Sequence, residues 1–344
     1  LDLYGGHPAR HLSGSSRAAA RIDFGGGWTD TPPYSLERGG AVLNAAIALN
    51  GELPISAEAA LAPRAADEPA VALHSEDLDA TLYARYAGDV LAYANPADPY
   101  ALLKAALVFR GLVPADAAPE SELGALYPGV QLRLSTATTI PRGSGLGTSS
   151  ILGGAVLRAL DQLLGQETPQ ARLFDEVLCL EQMITTAGGW QDQIGGLAPG
   201  IKLITTAPGL PQQFHIETVA LSPALRRSLE ERLVVLYTGQ QRLAKNILRA
   251  ITGRYMAREP EMLACLEEIA GLARAMHRAL LAEDLDALGE LIGEHWEVNR
   301  RMDPGCTNPF IDELFALCRP FWVGAKLAGA GGGGFIIAIA RDGE

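Results

Sequence analysis

The sequence has little cysteine, no long apolar run and no excess of basic residues. Its 344 residues include only four cysteines, and none of them forms a C-x-x-C pair. A disulfide framework or a structural zinc site is therefore not expected, and the composition is typical of a protein of the reducing cytoplasm. No apolar stretch approaches the roughly 20 residues that span a bilayer, so we expect no membrane partner.

Basic residues are outnumbered by acidic ones. The chain contains 28 Lys and Arg against 40 Asp and Glu, which gives a formal charge of −12 at pH 7. Because a general nucleic-acid-binding protein presents a basic face, we expect no nucleic-acid partner. A phosphorylated small molecule is still compatible with this charge, since backbone N–H groups and a few local cations can bind phosphate.

Glycine is abundant, and its distribution is uneven. Many of the 38 glycines fall into four clusters: the first within residues 23–30, the second within 141–150, the third within 329–334 and a looser fourth within 188–196. Glycine costs backbone entropy, so such clusters mark positions that need a positive φ or a close backbone approach. A single cluster is usually a tight turn, whereas four clusters beside ordered-looking segments favour a functional site.

The hydrophobic pattern predicts an α+β fold rather than a regular series of βαβ units. Alternating residues predict a strand at 130–140, and apolar residues at helical spacing predict a helix at 151–164. The further predictions are helices at about 172–184, at 240–251 and twice within 260–302, strands at 232–237 and 335–340, and a buried element of either type at 41–49. A stretch rich in Pro and Gly at 205–222 predicts a domain boundary, which we place between domains 1–206 and 207–344.

The second glycine cluster, from Pro141 to Ser150, lies between a predicted strand and a predicted helix. Unpaired N–H groups at the start of such a helix attract an anion. The cluster is not a Walker A loop, because it lacks the lysine, and Thr148 replaces the third glycine of a G-x-G-x-x-G pattern. Spacing alone leaves phosphate binding and a plain helix-capping loop equally supported.

The third cluster does match G-x-G-x-x-G, through Gly329, Gly331 and Gly334. A dinucleotide site requires a strand before this pattern and a helix after it, but here a strand is predicted to follow. A nicotinamide dehydrogenase is therefore disfavoured, and a glycine-rich bend close to a site is the better interpretation.

Two carboxylates follow the phosphate-type loop. Glu181 lies on a mostly apolar predicted helix, and Asp192 lies in the glycine-rich fourth cluster, which we predict to be a loop. Phosphoryl transfer uses Mg²⁺ and a carboxylate near the attacking hydroxyl, and Mg²⁺ prefers hard oxygen ligands. Either residue alone would normally be a surface charge or a turn cap, and the spacing does not decide between these interpretations.

Three motifs, taken in order, resemble those of the GHMP kinases, a family that includes galactokinase, homoserine kinase, mevalonate kinase and phosphomevalonate kinase. They occupy residues 20–30, 141–150 and 326–335. The Trp-Thr-Asp-Thr-Pro-Pro run at 28–33 and the Gly-Gly-Trp-Gln-Asp-Gln run at 188–193 are similar to L-fucokinases. The resemblance implies an N-terminal domain like domain 2 of ribosomal protein S5 and a C-terminal ferredoxin-like α/β sandwich.

The resemblance implies an ATP- and Mg²⁺-dependent cytoplasmic kinase that converts L-fucose to L-fucose 1-phosphate. It also implies that the parent chain carries a fused nucleotidyltransferase domain. The alternatives are a kinase of D-glycero-D-manno-heptose 7-phosphate, another sugar 1-kinase, and a sugar-binding regulatory protein that has lost catalysis. The presence of Ser149, Glu181 and Asp192 disfavours the last of these.

The resemblance also implies roles for the polar site residues. Asp192 would face the anomeric hydroxyl as a base or an orienting group, with Arg21 beside it and near the γ-phosphate. Ser149 and Glu181 would bind Mg²⁺. Asp30 would hold sugar hydroxyls.

The remaining implied positions are mostly backbone contacts. Those for the phosphates of ATP are Pro141, Gly143, Ser144, Gly145, Leu146, Gly147, Thr148 and Ser149, and those for the sugar include Gly26, Gly331 and Gly332. Trp28 would pack on the apolar face of the sugar, or it would be a core aromatic under a turn. Arg242 and Lys245 are further basic candidates, although exposed basic residues on a helix are usually solvated.

Overall fold

A computed structural model describes residues 11–95, 97–141, 143–186, 188–240 and 245–343. The strands are β1 (Ser13–Ala18), β2 (Ala20–Gly25), β3 (Ala41–Ile47), β4 (Ile55–Pro63), β5 (Val71–Ser75), β6 (Ala80–Ala84), β7 (Val130–Thr138), β8 (Ile201–Thr206), β9 (Phe214–Thr218), β10 (Leu233–Tyr237), β11 (Trp322–Leu327) and β12 (Phe335–Ala340). The helices are α1 (Tyr34–Arg38), α2 (Ala87–Leu91), α3 (Ala101–Phe109), α4 (Thr148–Leu164), α5 (Gln170–Met183), α6 (Gln191–Leu197), α7 (Pro223–Arg232), α8 (Lys245–Met256), α9 (Pro260–Leu281), α10 (Leu285–Met302) and α11 (Pro309–Cys318).

The chain divides into two compact units that interleave along the sequence. Unit 1 comprises Leu1–Ala20, Ala48–Ile140 and Thr148–Gly188, and unit 2 comprises Arg21–Ile47, Pro141–Gly147 and Gly189–Glu344. This division differs from a single boundary at 206/207, and β8 and β9 pair with each other on either side of that point. The boundary at 206/207 stays a prediction.

Unit 1 is built on a five-stranded sheet with the order β1-β4-β7-β5-β6. The apolar face of α4 packs against β1 and β4. Gly14 on β1 permits this approach, because a Cβ atom there would lie 2.2 Å from the carbonyl oxygen of Ala159 on α4. Close packing of the helix on the sheet therefore fixes the position of the first turn of α4.

Unit 2 contains a four-stranded sheet, β2-β3-β8-β9, and a three-stranded sheet, β10-β12-β11. Helix α9 packs on β3, and α10 packs on β11. The contact of α10 with β11 depends on Gly324, since a Cβ atom there would lie 1.9 Å from the carbonyl oxygen of Gly289. The two sheets carry the first and third motifs at their strand ends.

Most of the predicted elements are present. The strand at 130–138, the helices at 148–164 and 170–183, the two helices within 260–302 and the strand at 335–340 confirm the predictions, and the undecided segment at 41–49 is strand β3. Helix α8 runs to Met256 rather than Ile251. It ends just before Arg258, which has φ +56°, and Pro260 then begins α9. Within the described ranges, every helix is too short or too polar to span a bilayer.

The prediction of a loop around Asp192 is wrong, because residues 191–197 form helix α6. Gly195 and Gly196 have low intrinsic helix propensity. Tertiary packing overrides it: a Cβ atom on Gly195 would lie 2.9 Å from Cβ of Arg21 and 3.0 Å from Nδ2 of Asn44. Glycine lets α6 lie directly against β2 and β3.

Candidate active site

The central feature of unit 2 is an ion pair between β2 and α6. Nε of Arg21 donates to Oδ1 of Asp192 at 2.8 Å, and Nη2 of Arg21 contacts the same oxygen. The Arg21 side chain is buried, whereas that of Asp192 is 30% exposed. The pair therefore presents one carboxylate to solvent while its counter-ion is fixed beneath it.

Three nearby carboxylates stabilise the positive charge of Arg21. Burial acts to lower the pKa of Arg21, but the carboxylates of Asp192, Asp23 and Asp30 outweigh burial and raise it. Among the described residues, Nη1 of Arg21 has no hydrogen-bond partner although it is buried. A permanent cation with a spare donor is thus present beside Asp192.

The loop at 141–147 approaches this pair directly. The N–H of Arg21 donates to the carbonyl oxygen of Leu146 at 3.2 Å. Gly147 has φ +74°, and a Cβ atom there would lie 3.1 Å from Cγ of Asp192 and 3.2 Å from Cγ of Arg21. The last residue of the phosphate-type loop in unit 2 therefore lies in contact with the Arg21–Asp192 pair.

Asp30 is a second carboxylate in the same region and, unlike Asp192, it is buried. Its oxygens accept hydrogen bonds from the N–H of Trp28 at 3.1 Å, from the N–H of Gln191 at 3.2 Å and from Nε2 of Gln191 at 3.1 Å. Burial, followed by the charge of Asp192, raises the pKa of Asp30 to about 7. Gly189 is required beside it, since a Cβ atom there would lie 2.0 Å from Oδ2 of Asp30.

Trp28 lies in the turn that carries Asp30. It has φ +84°, a left-handed conformation that bulky residues rarely adopt and that often marks functional positions. With apolar side chains that include Pro33, Ile251, Tyr255 and Leu266, it lines a shallow surface notch with a volume of only about 10 Å³. Trp28 is half-buried, so it offers an apolar face within one turn of Asp30.

A second ion pair on β2 is fully sealed. Nζ of Lys326 on β11 donates to Oδ2 of Asp23 at 2.8 Å, and both side chains are buried. Burial acts to raise the pKa of Asp23, but Lys326 and Arg21 outweigh it and hold that pKa below its usual range. Nearby, Nε2 of His295 accepts from the N–H of Gly26 at 3.0 Å, and burial lowers the pKa of His295 to about 3, so the ring is neutral.

The third glycine cluster packs against the phosphate-type loop. The N–H of Phe335 donates to the carbonyl oxygen of Ser144 at 3.2 Å. A Cβ atom on Gly334 would lie 2.4 Å from that oxygen, and one on Gly145 would lie 2.5 Å from the carbonyl oxygen of Ala328. These contacts bring the second and third motifs together within unit 2 and explain why glycine occupies both of them.

Unit 1, described by itself, contains a group of oxygen atoms at the start of α4. The hydroxyl of Ser150 contacts Oε1 of Glu181 on α5, and both residues are buried. Ser149, the predicted metal ligand, is exposed, and Thr148 is the first residue of α4. The hydroxyl that meets Glu181 is therefore that of Ser150.

The structure thus brings several predicted site residues together within unit 2. Arg21 and Asp192 are in contact, and Gly147 lies against both. Gly331 and Gly332 lie farther along the third cluster and approach Cys306, whose carbonyl oxygen accepts from the N–H of Gly332. Arg242 and the side chain of Lys245 lie outside the described residues.

Sequence reasoning missed several side chains that support this region: Asn44, Ser150, Gln191, Lys202, His295 and Lys326, of which Lys326 is paired with Asp23. Lys326 lies three residues before Gly329, the first residue of the third cluster, but nothing local signals its burial. The partner of Lys326 lies 303 residues away in the chain.

Comparison with known families matches two segments of the chain. Residues 108–198 match the model described as the GHMP kinases N terminal domain, and residues 276–344 match the model described as GHMP kinases C terminal. These ranges include the second and third motifs.

Two curated relatives cover nearly the whole chain. The bifunctional fucokinase/GDP-fucose pyrophosphorylase of Arabidopsis thaliana is 39% identical over 331 residues, covering 94% of this chain and 29% of the relative. The L-fucokinase/L-fucose-1-P guanylyltransferase of Bacteroides fragilis is 35% identical, covering 95% of this chain and 34% of the relative. The chain spans about a third of the length of these relatives.

Solved structures show the same fold. The crystal structure of a D-glycero-D-manno-heptose 1-phosphate kinase from Bacteroides thetaiotaomicron superposes with a TM-score of 0.68 at 19% identity. The match covers 96% of this chain and 88% of that one. At this identity the likeness concerns the fold alone.

Proposed function

Because the chain belongs to the GHMP kinase family, we propose that it is an ATP-dependent sugar kinase that phosphorylates the anomeric hydroxyl of L-fucose. The observation that carries this proposal is the half-exposed Asp192, paired with buried Arg21 and in contact with Gly147 of the phosphate-type loop. The substrate follows from the two relatives, whose names include fucokinase activity.

In the proposed reaction the anomeric oxygen bonds to the γ-phosphorus of ATP. The bond from that phosphorus to the bridging oxygen breaks, and ADP leaves with the electron pair. Asp192 orients the hydroxyl and receives its proton, since its carboxylate is accessible and its position is fixed by two contacts with Arg21. Arg21 keeps a free buried donor, Nη1, for a phosphate oxygen; no other partner is found within the described ranges.

The motif at 141–150 is proposed to bind the phosphates of ATP. Gly143, Gly145 and Gly147 all have positive φ, which turns successive N–H groups in ways that other residues rarely permit. Pro141, Ser144, Leu146 and Thr148 complete this segment. The packing of Ser144 and Gly145 against the third cluster supports the position of this loop.

Mg²⁺ is proposed to be held by Glu181 with Ser149. The buried carboxylate of Glu181 and the neighbouring hydroxyls of Ser149 and Ser150 are hard oxygen donors of the kind that Mg²⁺ prefers. Within the described part of the chain, no cluster of three or more His, Cys, Asp or Glu side chains is arranged to hold a metal ion. Mg²⁺ commonly combines one or two protein ligands with phosphate oxygens and water, and it would neutralise phosphate charge.

Sugar recognition is proposed to involve the first motif. Asp30 is proposed to accept from sugar hydroxyls, and Trp28 is proposed to offer an apolar surface to the sugar ring or its methyl group. Gly26 fixes the turn that carries them, since it has φ +99° and a Cβ atom there would lie 2.0 Å from the carbonyl oxygen of Ala41. Gly331 and Gly332 are proposed to border the sugar. We further propose a cytoplasmic location and a fused nucleotidyltransferase in the parent chain.

A panel of sugars assayed by coupled ADP release tests the proposal. We expect Mg²⁺- and ATP-dependent turnover with L-fucose and much less with D-galactose or a heptose 7-phosphate. Turnover with the heptose 7-phosphate alone would instead assign the chain to that substrate. Calorimetric binding of L-fucose without any ADP formation would indicate a sugar-binding protein that has lost catalysis.

A further inference from the structure

Helix α6 carries Asp192 in its first turn and is only seven residues long. Such a short helix, with glycine at positions 195 and 196, has little intrinsic stability in water. Its position must therefore come from contacts with the sheet beneath it. Two of these contacts involve buried polar side chains that play no part in the reaction described above.

Lys202 on β8 fastens the C-terminal half of α6. Its Nζ donates to the carbonyl oxygen of Gly195 at 2.8 Å and to that of Gly200 at 3.1 Å, and the residue is completely buried. The last carbonyl groups of a helix lack intrahelical partners, so a lysine there satisfies one of them and complements the helix dipole. Burial lowers the pKa of Lys202 to about 7 because it disfavours the charged ammonium group. An apolar residue at this buried position would not carry that desolvation cost.

Asn44 on β3 fastens the N-terminal half of the same helix. Its Nδ2 donates to the carbonyl oxygen of Gln191 at 3.3 Å. Asn44 and Lys202 are direct cross-strand partners in the antiparallel pairing of β3 with β8. A single cross-strand pair thus bonds to the backbone in both halves of α6. The backbone of Gly195 also lies close to the side chain of Asn44.

We infer that Lys202, together with Asn44, is a positioning residue for Asp192: the pair locks α6 so that the Asp192 carboxylate stays on Arg21 and toward the substrate. This inference rests on the proposed function. Both hydrogen bonds of Lys202 go to backbone carbonyl oxygens, so it acts on Asp192 through the helix backbone. A displacement of about 1 Å at a catalytic group can lower the rate about a hundredfold. Contacts that hold α6 in place should therefore affect the rate.

The test compares Lys202→Met with Lys104→Met in the complete chain. Both substitutions remove a buried lysine, but Lys104 lies in unit 1 and pairs with Asp98 at 2.6 Å. We expect Lys202→Met to lower kcat by about tenfold or more, with KM for ATP changed less than about twofold. Lys104→Met should leave kcat within about twofold, and Lys202→Arg should recover part of the loss. A Lys202→Met enzyme with wild-type kcat would overturn the inference.

A second comparison separates positioning from general damage. If Lys202 acts through Asp192, then Lys202→Met should lower kcat strongly in the wild-type background but by less than about twofold when Asp192 is already Asn. An equal fold-loss in both backgrounds would contradict the inference. Should Lys202→Met fail to fold, Asn44→Ala takes its place, with the same expected pattern and a smaller loss.

Hydrogen exchange followed by mass spectrometry provides a readout that needs no activity. Peptides covering 189–198 should exchange faster in Lys202→Met than in the wild type, while peptides from α9 stay unchanged, and Lys104→Met should alter neither. Unchanged protection of α6 would overturn the inference even if the wild-type protein turned over no L-fucose. Absence of wild-type turnover with faster α6 exchange would instead contradict the proposed function and leave the fastening of α6 supported.

Discussion

Two ion pairs on strand β2 lie two residues apart and differ in their access to solvent. Arg21 pairs with Asp192, which is 30% exposed, whereas Asp23 pairs with Lys326 and both partners are sealed from solvent. Residues two apart on a strand share a face, so the same strand supplies both pairs to one region. The difference shows that one pair presents a carboxylate to solvent and that the other joins two strands of unit 2.

The two pairs also differ in the free energy that desolvation of their charges costs. A sealed pair must compensate the desolvation of both charges, so removing one partner leaves a buried charge without compensation. An accessible carboxylate retains part of its hydration and can exchange water for a substrate hydroxyl. We therefore expect substitutions in the open pair to affect rate mainly, and substitutions in the sealed pair to affect stability mainly.

The largest expected effect is that of Asp192→Asn. The substitution keeps the shape of the side chain and an acceptor for Arg21 but removes the proton acceptor, so kcat for L-fucose should fall about a thousandfold. ATP affinity, measured by calorimetry, should change little, because the phosphate-type loop is untouched. Retention of more than about a tenth of wild-type kcat would show that Asp192 does not have the assigned role.

The next effect is that of Lys326→Met on stability. Breaking the sealed pair should lower the free energy of unfolding by about 3–5 kcal/mol, measured by urea denaturation, because Asp23 is left charged and buried. Replacing both partners, as Asp23→Leu with Lys326→Met, should restore much of this loss. If the single substitution destabilised the protein less than Asp192→Asn does, the distinction between the open and sealed pairs would be incorrect.

A smaller effect concerns pH and Asp30. The pKa of Asp30 is about 7 in the fold against 3.8 for an ordinary Asp, so between these pH values the folded protein keeps the proton that the unfolded chain releases. The contribution of Asp30 to stability is therefore full below pH 4 and is lost as the pH rises through 7. Relative to Asp30→Asn, the wild type should lose unfolding free energy over this interval. Parallel pH curves for the two proteins would contradict the assignment.

The smallest effect is expected for Trp28→Ala. Loss of an apolar surface near Asp30 should raise KM for L-fucose about tenfold, which corresponds to roughly 1.4 kcal/mol. The value of kcat should be nearly unchanged, because Trp28 is assigned to substrate binding and not to the transfer step. Trp28→Phe serves as the matched control and should retain most of the affinity. An unchanged KM in Trp28→Ala would mark Trp28 as a core aromatic under a turn.

Local patterns predicted some of the helices and strands, but not the contacts between distant segments. The strand and helix that flank the phosphate-type loop follow from alternation at 130–138 and helical spacing at 151–164. The pairing of Asp23 with Lys326 joins residues 303 apart in sequence, and no periodicity signals it. Asn44 and Lys202 look like ordinary strand residues until the register of β3 with β8 places them opposite each other.

Helix α6 shows why a pattern can mislead. Four glycines within 188–196 indicate a loop when propensity alone is considered. Residues 191–197 nevertheless form a helix, because Gly195 lets the helix backbone contact the side chains of Arg21 and Asn44, which a larger residue would prevent. Glycine is selected at this position for close approach, which is a tertiary property.

Identification of the product by phosphorus NMR tests the central claim most directly. The wild-type protein, incubated with ATP, Mg²⁺ and L-fucose, should give a phosphate resonance coupled to the anomeric proton of the sugar, and Asp192→Asn should give about a thousandfold less in the same time. A phosphate on any other sugar oxygen, or equal product from the two proteins, would contradict the assignment of the open pair to anomeric phosphoryl transfer.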